Sequence, residues 1–471
     1  MRKNENIKAR KIDYSPEVPV ARAETIAALS TPPGIGAVAV VRISGTGAWE
    51  TGRLIVKEKK LFERLEPRQN ALFTIISPES GEPLDSALVV KYRGPASFTG
   101  EDVLEVQCHG GAAAPEAVCR AAFAAGARAA RAGEFTRRAF LNGKLDLAQA
   151  EAVDGLIQAR TESGRQLAFS GLHGELSLEI ERLRELLLEL KAELEYQIDF
   201  PDEEPLAELD RKVRESCRQA AESMRRLLDG AERDLLLGRG ALTVIAGAPN
   251  VGKSSLFNSL LGTERSIVTS RPGTTRDAVE METLIEGVLF RLVDTAGLRK
   301  GKGEAEKMGV EYSRRFIAGA DVVLFVHEAG SDFISAEREF LQEFAGRRIV
   351  RVVNKIDLLH NGDRGIPEGF IGVSALESSG IGELREALVR AVMPGGEPDS
   401  RPPAGGRVTS RRQKYLLEEA LRVLEGLDHR LSAEFLAAEL AEAGDRLGEI
   451  TGRITSEDVL ERIFSNFCIG K

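Results

Sequence analysis

Cysteine is scarce in this 471-residue chain. The four present, Cys108, Cys119, Cys217 and Cys468, are dispersed and form no C-x-x-C pair, which argues against a disulfide framework or a zinc cluster. Long apolar runs are missing too, and nothing approaches the ~18 residues of a membrane-spanning helix. The N-terminus, Met1-Arg2-Lys3-Asn4-Glu5-Asn6, lacks the apolar core of a secretory signal. Positive charge is not in excess. A net charge of -9 argues against a globally basic nucleic-acid wrapper and leaves room for a local basic patch. These absences fit a reducing cytoplasm. What remains is ordinary globular composition, 42% hydrophobic and 29% charged. The length suggests about three domains of roughly 150 residues, each able to bury a core.

Residues 1–24 are polar, with Lys8, Arg10, Lys11 and Arg22, and read as a basic, solvated arm. β-like runs follow at Thr25–Leu29, Ala37–Ser44, Ala71–Ile76, Ala87–Tyr92 and Val103–Gln107, with an alanine-rich helical stretch at 114–130. The region 25–142 is therefore α+β. Arg42 interrupts the apolar run of its strand. From 143 to 236 the pattern is helical, with Leu183, Leu186, Leu187, Leu190 and Leu194 on one face. Its one sharp break, Asp199–Pro205, reads as a helix-to-helix turn in preference to an acidic metal site. Residues 237–396 alternate strand and helix, which predicts a mainly parallel sheet covered on both faces. A Pro/Gly linker opens the last region, 397–471, which is helical. Leu417, Leu421, Leu424 and Leu427 repeat there at helical spacing, as do Phe435, Leu436 and Leu440. Roughly 60 residues make a marginal core alone, so the α/β region is expected to be inserted into one helical domain.

Gly247-Ala248-Pro249-Asn250-Val251-Gly252-Lys253-Ser254 is G-x-x-x-x-G-K-S, between an apolar strand-like run and the helical run that Ser255 opens. That context belongs to a phosphate-binding loop, whose backbone N–H groups face phosphates. Lys253 would reach the β- and γ-phosphates, and the Ser254 hydroxyl would bind Mg²⁺. Pro272-Gly273-Thr274-Thr275 follows in a polar stretch, where a threonine can close over the γ-phosphate and complete the Mg²⁺ shell. A strand-like run then ends in Asp294-Thr295-Ala296-Gly297, where the carboxylate can hold the Mg²⁺ water shell and the Gly297 N–H can sense the γ-phosphate. Asn354-Lys355-Ile356-Asp357 follows another strand. Asp357 can accept two N–H bonds from guanine, whereas adenine would leave the carboxylate unpaired. Lys355 can lie over the base, and the Ala375 N–H, after Ser374, can meet guanine O6. Five motifs in this order, each at a strand end, point to guanine-specific binding with hydrolysis. Leu298 stands where many regulatory GTPases carry a water-orienting glutamine. Catalysis must then be completed elsewhere. The charged, glycine-rich stretch Arg299–Glu306 offers a carboxylate, with a solvated loop charge as the bland alternative.

Three further stretches carry a resemblance. They are Thr31-Pro32-Pro33-Gly34 with Val41-Arg42-Ile43-Ser44-Gly45, Phe98-Thr99-Gly100-Glu101-Asp102, and Gly133-Glu134-Phe135-Thr136 through Phe140–Ala152. With the terminus Phe467-Cys468-Ile469-Gly470-Lys471, they make the chain similar, over about residues 25–471, to the tRNA-modification GTPase family MnmE, also called TrmE. That resemblance implies a folate-binding-like N-terminal domain that dimerises, and a Ras-like G domain inserted in the helical domain. It implies formation of 5-carboxymethylaminomethyl or 5-aminomethyl groups on the wobble uridine of certain tRNAs, with a flavin-dependent partner, MnmG (GidA). It implies a tetrahydrofolate derivative, 5-formyl- or methylene-type, at Arg42, Glu101, Lys144 and Lys471. It also implies potassium-stimulated G-domain dimerisation, with Asn250, Thr269, Arg271 and Thr274 as potassium ligands and Glu306 acting indirectly on the attacking water. Cys468 matches a family cysteine, and a reactive thiol and a packed one are both open.

A ribosome-assembly or translation-associated GTPase switch is the competing class, since its G domain would look much the same. The folate-type domain and the Cys468–Lys471 terminus discriminate against it. Two basic clusters, Arg407 with Arg411, Arg412 and Lys414, and Arg137 with Arg138, could meet tRNA phosphates or form solvated faces.

Overall fold

The computed structural model describes residues 24–200, 206–262, 280–294, 316–359, 365–393, 406–428, 430 and 432–470. It divides into two units, one of Met1–Asp154, Leu176–Glu222 and Tyr415–Lys471, the other of Gly155–Glu175 and Ser223–Lys414.

In the first unit six strands pair in the order β3-β4-β5-β2-β1-β6. They are β1 (Ile26–Leu29), β2 (Val38–Ser44), β3 (Asn70–Ile76), β4 (Pro83–Tyr92), β5 (Val103–His109) and β6 (Arg128–Ala129). All pairings are antiparallel except β1 with β6. Alternation decides the faces: Ala39, Val41 and Ile43 of β2 and Leu104, Val106 and Cys108 of β5 enter one core. Helices Ala48–Ile55 and Ala113–Ala124 supply Ala48, Ile55, Val118, Ala121 and Ala122 to it. Gly52 must lack a side chain, because a Cβ there would stand 2.4 Å from Leu104. On the opposite face Ile26 and Ala28 pack with Phe135, carried by helix Glu134–Leu141. The helix expected over 114–130 stops at Ala124. Gly126, at φ 102°, turns the chain so that Arg128–Ala129 can pair with β1.

The helical part of this unit includes Glu175–Asp199, which buries Leu183, Leu187, Leu190 and Leu194, and Ala433–Thr451, which buries Leu436, Leu440 and Leu447. Within it Glu181 accepts hydrogen bonds from Thr451 Oγ1 (3.0 Å) and Arg453 Nε (3.1 Å). Phe435, expected to share a face with Leu436 and Leu440, stands 63% exposed instead, because its position is turned away from the packed stripe. The single break expected within 143–236 is also corrected. Helices Leu147–Gln158, Glu162–Leu172, Glu175–Asp199, Leu206–Leu228 and Ala231–Arg239 are separated further by a Thr161 N-cap on Gly164 N and by left-handed Gly174 and Gly230.

The second unit carries β7 (Ala241–Gly247), β8 (Glu280–Ile285), β9 (Val288–Asp294), β10 (Val322–Glu328), β11 (Ile349–Asn354) and β12 (Ile371–Val373), in the order β12-β11-β10-β7-β9-β8. Only the β8–β9 pairing is antiparallel. Helices Lys253–Leu261 and Ile381–Val392 cover one face through Leu256, Leu260, Leu384 and Leu388. Ile317, Phe340 and Phe344 pack on the other. Leu167, Leu236 and Leu237 join the first of these cores, so two helices from the helical stretch pack with the sheet. Arg239 clamps Asp321 with two bonds (2.9 and 2.7 Å), Arg407 pairs with Asp234 at 3.3 Å, and Lys414 pairs with Glu232. Parallel strands leave the C-terminal ends of β7, β10, β11 and β12 on one edge, where such sheets place ligands.

The polar centre of the first unit is Glu134. Burial pushes its carboxyl up, but the Arg128 guanidinium, the Arg131 N–H and the Arg138 guanidinium outweigh that and hold it at about 2, against an ordinary 4.5. A depressed carboxyl stabilises fully above its unfolded value and loses that stabilisation as pH falls from about 4.5 to about 2. Glu134→Gln should therefore cost on the order of 3 kcal/mol at pH 7 by chemical denaturation. The gap from the unsubstituted chain should narrow as pH falls through that window, and a pH-independent gap would show that the charge is not the cause.

Candidate functional site

The phosphate loop leaves β7 through Gly247 at φ 150°, passes Asn250 at φ 65°, and enters its helix through Gly252 at φ 93°. A Cβ on Gly247 would lie 2.2 Å from Val326 O, so glycine is required for close approach to β10 as well as for φ. Lys253 is 7% exposed and donates to the carbonyls of Gly247 (3.1 Å) and Ala248 (2.7 Å), which folds its stem along the loop. Ser254 Oγ donates to Asp294 Oδ2 at 2.8 Å. Asp294 ends β9, beside Ile245 of β7 in the parallel register, and this pairing explains why residues 40 apart in sequence meet. Two hard oxygens are thereby set side by side, a donor pair that suits Mg²⁺. Ser255 is exposed beside Ser254, and Val251 is buried.

Asn354 joins this loop to the turn that follows β12. Its side chain is 1% exposed. The amide Nδ2 donates to Val251 O at 2.9 Å, and Oδ1 accepts from Ala375 N at 3.1 Å. The Ala375 N–H, expected to meet a guanine O6, is thus engaged by Asn354. Ser374 Oγ accepts from Glu377 N at 3.1 Å and fixes the same turn. Lys355 has φ 66° and places its ammonium 2.6 Å from Glu328. Asp357 is half-buried in the short 3-10 turn Ile356–Leu358, and its carboxylate has no partner among the described residues. So Asn250, Val251, Gly252, Lys253, Ser254, Asp294, Asn354, Lys355, Asp357, Ser374 and Ala375 come from four strand ends to one edge of the sheet. Thr269, Arg271, Thr274, Thr275, Thr295, Ala296, Gly297, Leu298 and Glu306 lie outside the described residues.

The first unit holds a second polar cluster. Arg42 is not orphaned in its strand. It faces Glu105 across the β2–β5 pair, bonds it through Nη2 at 2.9 Å, and lies over the rings of Phe98 (5.4 Å) and Phe135 (5.7 Å). Glu101 accepts from Ser44 Oγ at 2.8 Å and from Arg138 Nη1 at 3.0 Å. Arg138 also bonds Glu134 at 3.0 Å. Asn142 Nδ2 donates to Thr99 O at 2.7 Å and docks the Phe98–Asp102 segment on the turn that carries Lys144. A Cβ on Gly100 would lie 3.3 Å from Lys144 Cγ, so the lysine stem runs over this glycine. The Lys144 ammonium has no partner among the described residues. Arg42, Glu101 and Lys144 are brought to one region, and Lys471 lies outside the described residues. Sequence reading quoted Ser44 and Glu134 without a role, missed Glu105, and missed the role of Arg138. The i,i+4 spacing of Glu134 and Arg138 was the available signal.

Two readings left open by the sequence are narrowed. Arg138 is buried in ion pairs, Arg137 pairs with Glu457, and Arg407 and Lys414 pair with Asp234 and Glu232, so these four cations are already engaged by carboxylates, while Arg411 is exposed. Cys468 is exposed, and not packed, whereas burial pushes the thiols of Cys108, Cys119 and Cys217 up to about 11. Among the described residues no helix is long and apolar enough to cross a membrane, and no group of three His, Cys, Asp or Glu could hold a metal ion.

Comparison with known proteins accords with this architecture. Residues 25–144 match the family "GTP-binding protein TrmE N-terminus", and residues 147–468 match "MnmE helical domain". The tRNA modification GTPase MnmE of Thermotoga petrophila is 39% identical over 95% of this chain and 100% of its own length. That of Aquifex aeolicus is 41% identical, again over 95% and 100%. Among solved structures the G domain of the Thermotoga maritima FeoB iron transporter is 27% identical, covers 32% of this chain and 99% of its own, and superposes with a TM-score of 0.25, too low to add to the argument from the strands. The chain belongs to the MnmE family of tRNA modification GTPases.

Proposed function

We propose that the chain binds and hydrolyses GTP as the GTPase subunit of a cytoplasmic tRNA-modification complex. In this reading it works with the flavin-dependent MnmG protein to build 5-carboxymethylaminomethyl or 5-aminomethyl groups on wobble uridine. The observation that carries the reading is a phosphate loop laced by Asn354 to the turn that presents the Asp357 carboxylate, which has no partner among the described residues. An acceptor-only carboxylate beside a phosphate cradle favours a base with two adjacent N–H donors. Membership of the family supports the tRNA half of the reading.

In hydrolysis Lys253 is assigned to the β- and γ-phosphates, where a cation spreads the charge that develops on the transferred group. Ser254 and Thr275 would hold Mg²⁺, which would supply positive charge to the phosphates. Asn250, at the exposed apex of the loop, and residues 269–274 would hold potassium in the place of an arginine finger. Glu306 is assigned to ordering the water, since Leu298 has no polar atom to do so.

In the first unit, residues 25–142 are assigned to dimerisation and to a tetrahydrofolate derivative. The residues present fit that ligand. Glu101 is pre-aimed by Ser44 and Arg138 and keeps spare acceptor capacity for pterin N–H groups, while Lys144 is a cation with no partner among the described residues and suits a carboxylate. Arg42, neutralised by Glu105, contributes shape and partial charge more than net charge.

Three outcomes test the reading. GTP hydrolysis in potassium chloride should exceed that in sodium chloride of equal ionic strength by roughly tenfold or more, and Asn250→Ala should erase the difference. Equal rates in both salts would remove potassium from the mechanism. Asp357→Asn should raise KM for GTP by roughly 100-fold or more and improve xanthosine triphosphate, whose extra carbonyl suits the new amide donor. Mass spectrometry of wobble uridine in a strain lacking the gene should show loss of the aminomethyl products, and unchanged tRNA would instead favour a ribosome-associated switch.

A further inference from the structure

We propose that Glu328 is a positioning residue for guanine recognition, acting through Lys355. The inference rests on the guanine reading above and names a residue that the nucleotide motifs do not contain.

Lys355 is held at three points. Its backbone sits at φ 66° and accepts from Leu358 N at 3.0 Å, which closes the short turn carrying Asp357. Its Cε lies 4.0 Å from the position a Cβ would take on Gly252, so the stem crosses the phosphate loop. Its ammonium is bound by Glu328 Oε1 at 2.6 Å. A lysine stem has four rotatable bonds, and an untethered head would sample many of their combinations. Anchoring both ends leaves one extended path across the loop and one flat apolar edge for a base to rest on. Binding then no longer includes the cost of ordering that side chain.

Glu328 is itself fixed from its own strand. It ends β10 opposite Asn354 in the parallel register, and Ala329 N donates to Asn354 O at 2.8 Å. The Glu328 carbonyl accepts from Ser331 Oγ at 2.8 Å. The preceding His327 is 3% exposed, stacks on Phe333 with ring centroids 3.9 Å apart, and directs Nδ1 at Glu337 Oε1 (3.1 Å) and Nε2 at Ser331 O (3.2 Å). The turn after β10 is therefore a rigid shelf, and Glu328 is its outward-facing carboxylate. The Glu328 and Lys355 side chains are 36% and 30% exposed, a setting in which an ion pair adds little to folding stability. Its effect should appear in ligand binding.

The test uses the full chain and equilibrium Kd values for GDP and ADP, together with KM and kcat for GTP. The unsubstituted chain should prefer GDP, and if it does not, the guanine reading itself fails. Given that preference, Glu328→Gln should weaken GDP by roughly 5- to 30-fold, raise KM for GTP in step while kcat at saturation holds, and leave ADP binding as it was. Glu328→Asp should recover most of the loss. In a Lys355→Met background the Glu328→Gln change should have no further effect, since the carboxylate would have nothing left to hold. A GDP affinity within twofold of the unsubstituted chain overturns the proposal. So does an equal loss for GDP and ADP, or a loss that persists undiminished in the Lys355→Met background. Thermal unfolding without nucleotide identifies a folding defect. If Glu328→Gln unfolds, the Glu328→Asp and Lys355→Met comparison carries the test alone.

Discussion

Three described segments of the nucleotide edge are tied together by one buried amide. Asn354 gives its donor to the phosphate loop and its acceptor to the Ala375 turn, so three segments from distant parts of the chain share one rigid frame. Buried at 1% exposure, neither half of the amide has water as an alternative partner. Loss of either contact would leave an unpaired group inside the sheet edge. The parallel register of β7, β10, β11 and β12 delivers the three segments to that amide. The phosphate loop and the Ala375 turn are consequently held by the same two bonds.

The first unit solves a different problem, the burial of charge. Glu134, Arg128, Arg138 and Glu101 form a chain of alternating sign in which each carboxylate has a guanidinium beside it. The arrangement leaves Glu101 aimed yet unsaturated. Its charged partner, Arg138, comes from helix Glu134–Leu141, which is seated by Phe135 against Ile26 and Ala28. Apolar packing of one aromatic ring thus sets the direction of a carboxylate on another segment.

Much of this was legible in the sequence because it is local. The phosphate loop needs two glycines, a lysine and a serine at fixed spacing; backbone stereochemistry demands the glycines, and phosphate and cation chemistry the lysine and serine. Strand alternation gave β2, β4 and β5 within a few residues. What stayed hidden is long-range. Nothing near Arg42 announces that Glu105 stands across from it, since that pairing depends on strand register. Phe435 misled because helical spacing fits two neighbouring stripes, and only the packed core selects between them. Arg137 and Arg138 looked alike, and burial assigned one to the interior. The small helices Ala48–Ile55 and Lys59–Arg64 carry too short a periodicity to stand out.

The ion pairs Asp234–Arg407 and Glu232–Lys414 join the two ends of the segment that holds the parallel sheet. An insertion normally charges its host the entropy of closing a loop, which grows with the logarithm of loop length. Here the inserted segment brings its own ends together. The closure cost that depends on the length of the segment is then met within the segment itself.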